Sequence, residues 1–258
     1  LNTIDNVSKT LQSAYDEQYT DSMTEWRELG GRYKAQNIID VCKGYSFSKV
    51  LECGAGEGSI LKELEKKEFA PRLYALELSD SGISQIRKRQ MKSLNEVLKF
   101  DGYNIPYPDK EFDLAYCSHV IEHVEHPRIL LRELKRVSEY QVFEIPLDYS
   151  PNADEKVHHF LSYGHINIFT PSLFKFLLKS EGFEILSERF TQSHEEIIRF
   201  NWYRNQGLPK SLKNEIKLRL RPLRNNVKRF VYGKKRHEEF GHSAYTCLAK
   251  SRGELKIF

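Results

Sequence analysis

Val50-Leu51-Glu52-Cys53-Gly54-Ala55-Gly56-Glu57-Gly58-Ser59-Ile60 is the stretch on which the reading of the chain turns. Its apolar start predicts a buried strand. Glycine at every second position predicts a turn free of Cβ atoms, and Ile60, Leu61 and Leu64 continue it as a helix. Such a turn leaves the first N–H groups of the helix facing a cleft, where a nucleotide-containing ligand can lie against the backbone. A dinucleotide fingerprint needs a third glycine three residues after the second. Here Ser59 holds that position and Gly58 comes one residue early.

Glu52 and Glu57 place carboxylates beside the turn, which disfavours a pyrophosphate and suits a ligand carrying an amino group and a sulfonium. An acidic residue followed by Gly-x-Gly-x-Gly resembles the first motif of the class I S-adenosylmethionine (SAM) methyltransferases. Residues 72–78 read as a second buried strand ending in Glu77-Leu78. An acid about twenty residues beyond the turn completes a right-handed strand–helix–strand unit, and its carboxylate can accept from vicinal ribose hydroxyls. Either Ser79 or Asp80 caps the next helix. Residues 97–101 read as a third strand followed by Asp101-Gly102, which by itself is an Asp-Gly turn.

Residues 101–127 carry the strongest resemblance. The spaced D-x-x-x-x-P-x-P-D-x-x-F-D that ends at Phe112-Asp113, then Ser118-His119-Val120-Ile121-Glu122-His123-Val124, closely resembles the third-motif and fourth-strand region of small-molecule class I methyltransferases. The resemblance implies an α/β fold, doubly wound and Rossmann-like, around a mostly parallel seven-stranded sheet. It implies SAM as cofactor, held by Glu52, Gly54, Gly56, Gly58, Glu77, Leu78, Asp101, Gly102, Ser118 and His119. It also implies that Asp101 accepts from the adenine amino group while the backbone after it meets the ring. The family's Pro-Gly-Gly turn after the next helix is replaced by Ser138-Glu139-Tyr140, which shortens that turn.

The reaction implied is in-line attack of an acceptor O or N on the SAM methyl carbon. Catalysis is then mostly alignment, with a base only where the nucleophile holds a proton. Imidazole suits that task near neutrality, so His165, His123 and His119 are the catalytic candidates, ahead of His158 and His159. His119, His123 and His126 lie close together, but their spacing matches no usual zinc framework and no cysteine joins them, so no metal is expected.

Residues 1–45 read as helices with Leu11, Tyr15, Tyr19, Trp26, Leu29 and Tyr33 on an apolar face, broken at Gly30-Gly31. In the resembled family such helices form a lid, making Tyr19, Trp26 and Arg32 lining candidates. Residues 149–164 read as a loop. Thr170-Pro171 reads as a helix start, residues 183–190 as a sixth strand and residues 243–251 as a seventh, antiparallel one. The expected organisation is a lid over 1–45, a cofactor-binding core over 46–190 and 241–258, and a basic helical insertion over 191–240.

Composition sets the remaining bounds. The chain's 258 residues suit one domain with an elaboration. The net charge of +4 conceals twelve Lys/Arg against one acid, Glu215, over residues 204–236. There Leu212, Ile216, Leu220, Leu223, Val227 and Val231 recur at helical spacing, and Pro222 is expected to kink or divide the helix. The pattern fits an anionic membrane, nucleic acid, a phosphorylated or glycan-linked small acceptor, or simply a solvated face on a packed helix. If that segment were the functional surface, the chain would be a binding module with a non-catalytic SAM cleft. No apolar run reaches the ~20 residues that span a bilayer, and the N-terminus has no signal-peptide pattern. Four scattered cysteines, three of them in apolar runs, read as buried thiols, and the expectation is a cytoplasmic protein.

Overall fold

The computed structural model describes residues 24–149 and 152–253. Leu11, Tyr15 and Tyr19, placed on the lid by sequence, therefore lie outside the described residues. Seven strands form one sheet: β1 (Lys49–Cys53), β2 (Arg72–Glu77), β3 (Leu94–Lys99), β4 (Phe112–Ser118), β5 (Ser138–Pro146), β6 (Phe183–Thr191) and β7 (Ala244–Ser251). Their order is β3-β2-β1-β4-β5-β7-β6. The first five pair in parallel, and β7 runs antiparallel between β5 and β6. The order reverses between β1 and β4, the switch point outside whose strand ends open α/β sheets bind ligands.

The central strands are apolar on both faces because helices cover both. Along β4, Leu114 and Tyr116 enter one core with Val50, Leu73 and Leu248, while Ala115 and Cys117 enter the other with Leu51, Phe143 and Phe174. Helices α1 (Thr24–Val41), α2 (Ser59–Lys66), α3 (Asp80–Lys88), α4 (Pro127–Val137), α5 (Val157–Ser162) and α6 (Pro171–Ser180) flank the sheet. Ser79 caps α3 by accepting from the Gly82 N–H, and Thr170 caps α6 with Pro171 in its first turn. All four cysteines are buried free thiols. No helix of the described residues is long and apolar enough to cross a membrane.

Four local expectations change. Helix α1 runs unbroken through Gly30-Gly31: a Cβ at Gly31 would lie 2.6 Å from that of Ser59, so glycine there permits close helix packing and does not end the helix. Strand β3 begins at Leu94 and stops at Lys99, leaving Asp101 beyond it in a loop. Helix α4 passes directly into β5 with no intervening turn, its end tied by the Ser138 hydroxyl donating to Leu134 O at 2.7 Å. The segment read as a loop before Gly164 contains α5.

The insertion carries α7 (Glu195–Phe200), a π-helical turn at Asn201–Asn205, then α8 (Leu212–Arg219), α9 (Arg221–Tyr232) and α10 (Lys234–Phe240). Pro222 sits in the first turn of α9, where its missing N–H costs no helical bond, so it divides the helix. The apolar positions Leu223, Val227, Phe230 and Val231 face solvent, Phe230 at 90% exposure. No residue of α9 is buried, so the expected solvated face on a packed helix is not what α9 presents: its apolar stripe is exposed together with its basic one.

Candidate active site

A cavity of about 800 Å³ lies outside the carboxyl ends of β1, β2, β4 and β5. One end is the glycine turn. Gly54, Gly56 and Gly58 all have positive φ (78°, 57° and 77°), a conformation that residues with a Cβ seldom adopt. A Cβ on Gly54 would also meet Val120 Cγ2 at 2.6 Å. Glu77, at the end of β2, closes the turn: its carboxylate accepts from Gly56 N at 2.7 Å, Ser79 N at 3.0 Å and Ser79 Oγ at 2.8 Å. Burial nonetheless raises its pKa, outweighing those bonds.

The two carboxylates read as flanking the turn differ in kind. Glu57 is buried but paired, accepting from Arg27, Arg89 and the Ser59 hydroxyl. It straps the turn to α1 and α3 and offers little charge to a ligand. Glu52 is fully buried beside Tyr116, and its Oε2 has no hydrogen-bond partner among the described residues. Burial pushes its pKa up to about 8, with Glu77 adding to the rise and the Lys34 charge opposing it.

The opposite wall comes from the segment after β4. His119 takes a left-handed backbone (φ 56°), uncommon for a residue with a side chain. Its N–H donates to Glu144 O at 2.9 Å. The buried Glu144 side chain accepts from Asn37 of α1 and from the Ser118 hydroxyl, at 3.0 and 3.1 Å. The following 3₁₀ turn, Ile121–His123, carries Glu122, buried with neither carboxylate oxygen hydrogen-bonded among the described residues. His119 Nδ1 and His123 Nε2 approach Glu122 Oε1 at 3.4 and 3.8 Å. Backbone N–H groups of Ile166 and Asn167 both donate to Glu122 O at 2.9 Å, which draws the segment after Gly164 onto the turn. The His165 ring thereby stands 4.9 Å from that of His123, with its Nδ1 2.7 Å from Asp148. Burial lowers the His123 pKa. At His165 burial also lowers it, but the Asp148 hydrogen bond and the Glu122 and Asp148 charges prevail, and the net direction is upward.

Of the residues singled out from sequence, Glu52, Gly54, Gly56, Glu77, Leu78, Gly102, Ser118, His119 and His123 line this cavity. Gly58 does not line it; it precedes α2 and packs toward Ile86. Asp101 does not line it either, because its carboxylate accepts from Tyr103 N and Asn104 N and closes its own turn. His165 stands behind His123, and His158 and His159 are exposed on α5. Trp26 lines the cavity and packs on Phe200, whereas Arg32 points away to Glu196 at 3.8 Å. Sequence reading missed Asn37, Glu144 and His194, the last stacked on Tyr33 at 4.1 Å where α1 meets the insertion. Each depends on a long-range contact that leaves no local periodicity.

Residues 18–188 match the family model described as a methyltransferase domain. The chain is 26% identical to YrhH of Bacillus subtilis over 141 residues, 52% of this chain and 78% of that one. It is 23% identical over 192 residues to the demethylmenaquinone methyltransferase of Thermotoga maritima, covering 64% of this chain and 79% of that one. A solved SAM-dependent methyltransferase from Archaeoglobus fulgidus superposes with a TM-score of 0.59 at 21% identity, over 91% of this chain and 100% of that one, which shows the shared fold.

Proposed function

The chain belongs to the methyltransferase-domain family, and on that premise we propose that it moves the methyl group of SAM to an oxygen or nitrogen of a small acceptor. The observation that carries the proposal is the orphaned Glu52 oxygen at the cavity wall beside a glycine turn that Glu77 holds through Gly56 N. A buried carboxylate with one oxygen unpaired fits a ligand bearing an amino group, and the bare turn admits a ribose against the backbone. SAM, when bound, supplies an activated methyl group on a positively charged sulfur.

The residues then divide the work. Glu52 pairs with the cationic end of the cofactor. Glu77, already bonded to Gly56 and Ser79, stands at the strand end where a ribose hydroxyl would reach it. Leu78 and Gly102 flank the base, and Ser118 and Glu144 hold the wall between cofactor and acceptor. His119 and His123 face the acceptor, and His119 is the group placed to take a proton from it. His165, first choice from sequence, supports His123 from behind. Helix α1 and the start of the insertion roof the cavity through Trp26–Phe200 and Tyr33–His194 and exclude water during alignment.

The test is thermal unfolding with SAM, S-adenosylhomocysteine and NAD added separately. Ligand at ~100 times its dissociation constant adds ~2.7 kcal/mol, a rise of roughly 5–10 °C. A rise with the two adenosyl thio-ligands and none with NAD is expected; a rise with NAD alone overturns the reading.

For the insertion the partner we propose is an anionic membrane surface. On α9, Leu223, Val227, Phe230 and Val231 share one exposed face, while Arg224, Lys228 and Arg229 are exposed beside it. Flotation with phosphatidylserine-containing vesicles should recover the protein, and phosphatidylcholine vesicles should not. Each of Arg224→Glu and Lys228→Glu should weaken recovery at least ~fivefold, from about 1 kcal/mol per basic residue. Equal recovery by both lipids, or tighter binding to generic nucleic acid, would remove the proposal.

A further inference from the structure

Glu122 is 1% exposed, yet neither of its carboxylate oxygens accepts a hydrogen bond among the described residues. A buried ionised carboxylate left so is costly, and natural structures keep one where something else satisfies it. The groups that surround it decide what that is. One ligand atom each of Glu122, His123 and His165 lie within 4.8 Å of one another.

The two imidazoles are held in a particular way. His123 Nδ1 lies 2.9 Å from the Gly164 carbonyl, to which only an N–H can donate, so its Nε2 carries the lone pair. His165 Nδ1 lies 2.7 Å from the Asp148 carboxylate, which fixes the same tautomer. Metal-ligating histidines characteristically donate their other ring N–H to a backbone carbonyl or a carboxylate, and here one does each. The backbone behind them is tied together. Gly164 (φ 71°) brings its backbone so close that a Cβ would lie 3.2 Å from His123 Nδ1, and Asn167 Nδ2 donates to Val124 O at 2.7 Å.

We propose that Glu122, His123 and His165 bind a divalent transition-metal cation just behind the cavity wall to which His123 belongs. Two imidazoles and one carboxylate make the donor set of open catalytic zinc sites and of facial iron sites, leaving positions free for a substrate oxygen. That set selects Zn²⁺, Co²⁺, Mn²⁺ or Fe²⁺ over Ca²⁺ and Mg²⁺, which prefer all-oxygen cages. Bonds of ~2.0–2.2 Å need the donors closer than 4.8 Å, so the three side chains contract by about an ångström on uptake. With His123 as the ligand that reaches the cavity, the cation's role is to polarise an acceptor oxygen that enters its open position from that side, leaving His119 to receive the proton. The sequence expectation of no metal rested on the spacing of His119, His123 and His126. The fold discards His126 and substitutes His165 from another segment.

The role given to the cation rests on the methyl-transfer reading, whereas its binding does not, and the experiment separates them. Chelator-treated full-length protein is titrated with Co²⁺ alone, following visible absorption, and with Mn²⁺ or Zn²⁺ alone, following thermal unfolding. Expected are Co²⁺ ligand-field bands and a rise of about 5–10 °C at ~100 times the dissociation constant. Glu122→Gln and His165→Ala should weaken both at least ~tenfold while S-adenosylhomocysteine still stabilises each variant. Because Gln keeps the shape of Glu122 and removes a buried carboxylate that has only the His119 and His123 imidazoles nearby, at 3.4 and 3.8 Å, the Glu122→Gln protein should fold and, metal-free, unfold at a higher temperature than the parent. Absence of bands and shift in the parent, or their persistence in both variants, overturns the metal site. Failure of S-adenosylhomocysteine to bind the parent strikes the cofactor reading instead.

Discussion

At the glycine-turn end of the cavity, Glu77 is buried and receives three hydrogen bonds from the turn it closes. Behind the opposite wall, Glu122 is as deeply buried and receives none among the described residues. The first carboxylate is part of the scaffold, and removing it orphans backbone donors. The second is held in place by its backbone, through Ile166 and Asn167, while its side chain waits on something else. Buried carboxylates should thus have opposite consequences for stability according to whether their oxygens are hydrogen-bonded: the bonded one stabilises the turn, and the unbonded one carries a desolvation cost.

The severest way to probe the scaffold end is Gly54→Val. A Cβ there meets Val120 at 2.6 Å, and φ of 78° is foreign to a β-branched residue. Overpacking and backbone strain together should cost roughly 2–6 kcal/mol in urea unfolding and abolish stabilisation by S-adenosylhomocysteine. Unchanged stability and binding would mean that the turn is not the cofactor cradle.

The sharpest comparison is the pair Glu77→Ala and Glu122→Gln in metal-free protein. Losing the acceptor of Gly56 N, Ser79 N and Ser79 Oγ should destabilise by about 2–4 kcal/mol and weaken S-adenosylhomocysteine at least ~tenfold. Glu122→Gln should move stability the other way, upward by about 1–2 kcal/mol. Two changes of the same sign in chemical denaturation would break the contrast between the two ends.

The asymmetry also explains what could be read before the fold was known. A turn that needs positive φ at three positions writes glycine at each, so Gly54, Gly56 and Gly58 were visible, as were the buried strands beside them. Side-chain partnerships between distant segments write nothing local. Asp101 looked like a ligand because its own Asx turn uses the same residue type, and Glu57 looked like a charge in the cleft until Arg27 and Arg89 were seen to consume it. His165 could be listed but not placed, since two backbone bonds to the Glu122 carbonyl, and no periodicity, bring it to His123.

Glu52 lies between these extremes, with one orphan oxygen and a pKa of about 8 set mainly by burial, with Tyr116, Lys34 and Glu77 around it. The folded carboxyl keeps a proton that the unfolded chain gives up above about 4.5, so its contribution to stability is full below that pH and is lost as pH rises toward 8. Free-protein stability should therefore carry a downward component over that window, and Glu52→Gln should flatten it. Binding of a cationic ligand favours the carboxylate, so at pH 7 cofactor uptake should release close to one proton, and affinity should climb by nearly tenfold from pH 6 to 7. Calorimetry with S-adenosylhomocysteine in buffers of different ionisation enthalpy reads the proton directly. If Glu52→Gln releases the same proton as the parent, the orphan carboxylate is not the group that meets the cofactor, and the contrast drawn here reduces to Glu77 against Glu122 alone.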